Sequence, residues 1–129
     1  MIDKLEEFRR FLLEPSALVT ALGGDYVTAN RLPAGYDNTH AAILLQQETG
    51  GAHVSGSEVS DVVICTCYGG SALDSDARAI FRALYDRCLL PAMEGEIKTV
   101  FYLNDLALPN DPDTGWPSHI GRFAVYMEN

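Results

Sequence analysis

The last third of the chain sets the tightest limits on its fold. Residues 72–90 place Leu73, Ala77, Ile80, Phe81, Leu84 and Cys88 along one stripe at helical spacing. Asp74, Arg78, Arg82 and Asp86 follow at i, i+4 on the solvent side, where opposite charges lend modest support. Ser71 stands where an N-cap is needed, and Pro91 supplies the stop. Residues 98–103 (KTVFYL) then read as a strand, and residues 110–117 (NDPDTGWP) as a turn. In the closing strand, residues 122–127, Phe123, Val125 and Met127 share one face, and Arg122, Ala124, Tyr126 and Glu128 the other. A helix with a single apolar stripe must be buried against another layer, and these strands supply it. The ending is structural, and no residue in it reads as a catalyst.

The earlier chain fits the same plan. Ile2, Leu5, Phe8 and Leu12 recur at helical spacing opposite Glu6, Arg9 and Arg10, and Pro15 stops that helix near Glu14. Ser16 is placed to cap a short second helix carrying Leu18, Val19 and Leu22, which Gly23 and Gly24 end. Residues 26–32 read as extended and lead into a turn-rich loop through Pro33, Gly35 and Asn38. Two strands follow, residues 41–49 and residues 58–68. The first is apolar at Ile43, Leu44 and Leu45 and polar at Gln46, Gln47 and Glu48. The segment between them, residues 50–57 (GGAHVSGS), is too long for a tight turn and predicts a hairpin whose outer end projects. The even apolarity of residues 62–67 predicts a central strand covered on both faces, by helices or by a neighbouring subunit. The fold class is therefore α+β: a mixed, mainly antiparallel sheet, two main helices packed on one face, and a projecting β-hairpin. Residues 1–129 are read as one domain, long enough to bury roughly two-thirds of the unfolded surface.

Composition excludes some functions. A net charge of −9 opposes a nucleic-acid-binding surface, which needs clustered Lys and Arg, but it suits a passage through which DNA slides without sticking. The N-terminal MIDKLEE is charged where a signal peptide is apolar, no apolar run reaches membrane-spanning length, and three cysteines form no disulfide pattern. These features predict a chain made in a reducing cytoplasm, with no membrane partner.

Motifs for chemistry are weak. Cys65 and Cys67 point to one side of a strand, but Cys-x-Cys within an apolar run is not the Cys-x-x-Cys turn of a zinc site, so both read as small buried hydrophobes. Asp111 and Asp113 lie in a calcium-loop-like sequence, yet the sixth position is Trp116 and the twelfth Arg122, where glycine and glutamate are required. An Asx-stabilised turn explains them. No Gly-x-Ser-x-Gly elbow occurs. Gly69, Gly70 and Ser71 lead into a helix without a phosphate-loop lysine, and Asp74 and Asp76 would repel phosphate. His40, His53 and His119 sit beside loop residues with no nucleophile arranged for them. Trp116 is a packing lid or an interface anchor. No catalytic, cofactor-binding or metal residues are assigned; a pocket gathering Cys65, Cys67 and His119 is a distant alternative.

In the order of its elements the chain resembles the tail-completion proteins of tailed bacteriophages, also described as tail terminators or head–tail joining proteins. The resemblance rests on the opening helix (Leu5 to Leu13, then PSALVTALGG through Gly24) and on the extended stretch from Tyr26 to Pro33 with its Arg-Leu-Pro step. It rests further on the strand-to-helix passage from Val59 to Leu90, and on DPDTGW before the strand FAVY. The polar segment 50–57 and the Gly-Gly-Ser start of the long helix depart from the usual pattern. The resemblance implies a virion protein assembled in the host cytoplasm that forms a homo-oligomeric ring, commonly a hexamer, on the head-proximal end of the tail. It implies as partners the tail tube protein and a head connector or neck protein, with DNA only passing through the lumen, and neither enzymatic activity nor a cofactor. Glu48, His53, Glu58 and Asp61 near the hairpin tip, with Trp116, are the candidate subunit or partner surface. A head-closure or adaptor protein of the same neck is the alternative.

Overall fold

The computed structural model describes residues 3–48, 53–55, 58–93 and 95–128, and only the backbone of 53–55, 58–60 and 128. Helix α1 (Lys4–Leu12) starts where the Asp3 carboxylate accepts from the backbone N–H of Glu6 at 3.1 Å, with Glu6 and Glu7 in its first turn and Arg9 and Arg10 in its last, as the helix dipole favours. Helix α2 (Ala17–Leu22) closes on Gly23 in the left-handed conformation at φ 77°. Ser16 occupies its N-cap position with extended backbone, but the hydroxyl makes no capping bond and is buried without a hydrogen-bond partner among the described residues. The sequence-based cap is right in position and wrong in chemistry.

Six strands form one sheet: β1 (Val27–Ala29), β2 (Ala42–Gln47), β3 (His53–Ser55), β4 (Glu58–Tyr68), β5 (Ile97–Leu108) and β6 (Ser118–Glu128). Their order is β1-β2-β4-β6-β5, with β3 paired to the first residues of β4. Only β1 and β2 run parallel. This is the α+β, mainly antiparallel sheet expected, but β5 and β6 are far longer than the segments 98–103 and 122–127. The hairpin is also less free than expected, because β4 pairs with β6 along its whole length, from Glu58↔Glu128 to Tyr68↔Ser118.

The third helix, α3 (Asp74–Cys88), joins α1 and α2 on one face of the sheet. Its N-cap is Leu73 rather than Ser71; the Ser71 hydroxyl accepts from the Leu73 N–H at 3.1 Å and donates to Asp76 at 2.6 Å. Of the expected stripe, Ala77, Ile80, Phe81, Leu84 and Cys88 are buried, whereas Leu73 is the exposed N-cap residue and lies outside it. The stripe shares one core with Ile43 and Leu45 of β2, which lies under α1, and with Val63, Cys65 and Cys67 of β4 and Phe123, Val125 and Met127 of β6, alternate residues as the strand period demands. Arg87 clamps α3 to α1: its guanidinium sits 3.8 Å above the Phe11 ring, donates from Nε to the Phe11 carbonyl at 3.1 Å, and pairs from Nη2 with Glu14 at 2.5 Å.

The opposite sheet face carries no described element. Val62, Ile64, Ile120, Ala124 and Tyr126 are half-buried there. The β4 run is thus covered by helices on one face only; the other is half-buried at Val62 and Ile64 and buried at Thr66 and Tyr68, where Tyr36 and Trp116 pack on the Tyr68 ring.

Candidate functional site

The polar cluster with the most defined geometry lies between α3 and the edge strand β5. Two register shifts in the β5–β6 pairing, one between Ile97 and Thr99 and one between Tyr102 and Asn104, make Lys98 and Leu103 extra residues. The second extra residue has a chemical effect. Residues three apart on a regular strand point to opposite faces; the bulge at Leu103 instead brings Tyr102 and Asp105 to the same face. Tyr102 stands opposite Phe123, Asp105 opposite Gly121 and Ala107 opposite His119, all on the helix side.

There Asp105 is the hub. One carboxylate oxygen accepts from the Tyr102 hydroxyl and the other meets His119 Nε2 at 2.6 Å. The tyrosine hydrogen bond, then that of the histidine, hold the Asp105 carboxyl below the usual carboxylate range, and the same carboxylate raises the Tyr102 hydroxyl. The Phe81 ring covers His119 at 4.4 Å, and Tyr85 meets Tyr102 edge-on at 5.4 Å. Arg78 and Arg82, one helical turn apart, complete the wall of an open cleft of about 380 Å³. The i, i+4 support expected along α3 is not formed: neither arginine makes an ion pair among the described residues.

Among the described residues, no serine, threonine or cysteine lines this cleft. Cys67 is the cross-strand neighbour of His119, and Cys65 is that of Gly121. Both thiols are sealed in the core, and burial pushes their ionisation upward, so neither supplies a thiolate beside the histidine. Burial likewise raises the Cys88 thiol, to about 12. Among the described residues no group of three or more His, Cys, Asp or Glu is placed to hold a metal. Asp105 spends both oxygens on fixed partners and so holds the Tyr102 and His119 side chains in place.

A second cluster surrounds Trp116. Asp111 builds the expected Asx turn, accepting the Asp113 N–H at 2.8 Å on one oxygen. Its other oxygen accepts from Tyr68 at 3.0 Å and Ser118 at 3.3 Å. Trp116 stands edge-on to Tyr36 at 5.5 Å and to Tyr68 at 6.1 Å. Tyr36 donates to the His40 carbonyl at 2.6 Å, and burial raises its hydroxyl to about 12. His40 stacks on Tyr26 at 3.9 Å.

The remaining sequence candidates do not converge. Glu48 forms a bidentate pair with Arg122 across the open sheet face, at 3.0 and 2.9 Å. Asp61 is 1% exposed and bonded to Gln47 at 2.5 Å and Lys4 at 3.5 Å, which places it inside the chain rather than on a surface. His53 and Glu58 are placed by backbone in β3 and β4, and their side chains lie outside the described residues. Histidine 119, read as a loop-side residue, is buried in β6. Tyr102 and Asp105 escaped sequence reading because the bulge breaks the alternation that would have linked them.

The arrangement is a two-layer α+β sheet protein with helices on one face. No protein-family model and no curated protein sequence matches the chain. Among solved structures it is similar to a chain in "Virion of native gene transfer agent (GTA) particle", with a TM-score of 0.69 at 15% identity, covering 97% of this chain and 94% of that one. At that identity the likeness establishes a shared fold.

Proposed function

We propose that this chain is a non-enzymatic structural protein of a phage-type virion. In this reading it forms a ring at the head-proximal end of the tail, ends polymerisation of the tail tube and joins the tail to the head connector. The observation that carries the reading is the end-to-end likeness to a chain of a gene transfer agent virion, since both chains are covered almost completely. The tail-completion resemblance of the sequence supplies the place within the particle. The physical surface is compatible: a sheet with one face uncovered and a long unpaired edge offers the different patches that head-to-tail ring contacts use.

Light scattering on the purified protein, followed by negative-stain imaging with and without tail tubes, tests this. A closed ring, free or capping one tube end, is the expected outcome. A monomer that ignores tubes but binds the head connector would replace the terminator role with that of another neck component, and binding to neither would remove the reading.

A further inference from the structure

We propose that the outer edge of β5 and the adjoining α3 cleft form a docking groove for an extended, carboxylate-bearing strand of a partner protein. This inference does not depend on ring formation. Three observations meet at one place.

First, β5 ends the strand order, so no described strand pairs with its outer side, and it is twelve residues long where the opposite edge, β1, has three. Edges of this length normally carry protective charges or are covered. This one carries Lys98, Asp105 and two bulges, yet between them it still exposes Phe101 (54%), Leu103, and Leu106 (60%). Second, two of the three arginines that form no ion pair among the described residues lie beside it, the third, Arg31, following β1 at the opposite edge. The chain has a net charge of −9, and most of its lysines and arginines are spent on its own carboxylates. Arg78 and Arg82 are not, among the described residues, and both line the cleft along β5. Third, the network of Tyr102, Asp105 and His119 fixes the cleft floor, leaving the guanidinium groups as its unsatisfied donors.

A strand added to β5 alternates its side chains between the two faces of the sheet. On the helix side they meet Arg78 and Arg82; on the open side they meet Phe101 and Leu106, which the register places opposite Ala124 and Ile120. The matching ligand alternates acidic and apolar residues, with backbone hydrogen bonds giving affinity and alternate pockets giving specificity. Two arginines beside an apolar edge suit such a strand better than nucleic acid, whose run of phosphates needs clustered Lys and Arg.

A fluorescein-labelled peptide of alternating Glu and Val, titrated against the whole chain at low salt, tests the groove. Saturable binding is expected, weakened about tenfold or more by the double charge reversal Arg78→Glu with Arg82→Glu, and similarly by replacing the peptide's Glu with Lys. Methylation of alternate backbone amides on the peptide is expected to abolish binding, while a melting curve confirms that the double variant is folded. Equal binding of the Lys peptide or of the methylated peptide overturns the proposal. So does absence of peptide binding, whether a duplex oligonucleotide binds instead or the edge is closed by self-association that the double variant relieves.

Discussion

Asp105 shows how much a single side chain can organise. Its two oxygens join an edge strand, the tyrosine three residues before it and a histidine on the next strand. Its carboxyl is held below the ordinary range mainly by the Tyr102 hydrogen bond and then by that of His119, so the folded state favours the ionised form. The unfolded carboxyl titrates near ~3.9. The stabilisation is therefore complete above that value and is lost as pH falls through the lower folded value. Asp105→Asn is expected to lower stability by about 1 kcal/mol at pH 7, with the gap to the natural protein closing as the pH falls toward 3. Thermal melts of both proteins across that range check it; a gap independent of pH would show that the charge plays no part. Nothing local in the sequence marks this residue, since its partners come into reach only through the extra residue at Leu103 and the long pairing of β5 with β6.

Elements were legible where one periodicity ruled them. The stripe of α3 and the alternation of residues 123–127 reappear in the fold because each has a single buried face. Caps and ends were less legible: Ser71 lies two residues before the N-cap, and Ser16 sits in the cap position without making its bond. Such details depend on the path of the chain around them, which propensity does not encode. Residues 98–103 read as a strand, and Asn104 and Asp105 after them are poor strand formers, yet pairing with β6 carries β5 to Leu108. The packing of α3 on the sheet rests on two glycines that act differently. A Cβ on Gly69 would lie 2.5 Å from the backbone of Asp76 and Ala77, whereas one on Gly121 would meet the Phe81 ring at 2.3 Å. A helix backbone cannot yield as a ring can. Gly69→Ala should therefore cost more than Gly121→Ala, the latter about 1–3 kcal/mol. Pairing Gly121→Ala with Phe81→Leu should recover part of its loss, which urea unfolding of the three variants would show; a smaller loss for Gly69→Ala would contradict the close approach.

For the whole molecule, the decisive property is a sheet whose two faces live under different rules. Val63 is fully buried beneath the helices, while its neighbour Ile64 is half-exposed on the other side. Val63→Ala should cost about 2 kcal/mol in urea unfolding, and Ile64→Thr less than about 1 kcal/mol. Equal losses would mean that something covers the open face in solution. The architecture was readable from the order of elements, but the bareness of that face was not, because an apolar run looks the same whether helices or another molecule cover it. The alternation has a consequence for how loosely sequence is tied to shape. Along β4 and β6 only every second position answers to the helices, so the intervening ones can drift with whatever they touch while the backbone stays put. Two chains built this way can share a shape with little sequence in common, as 15% identity alongside a TM-score of 0.69 illustrates.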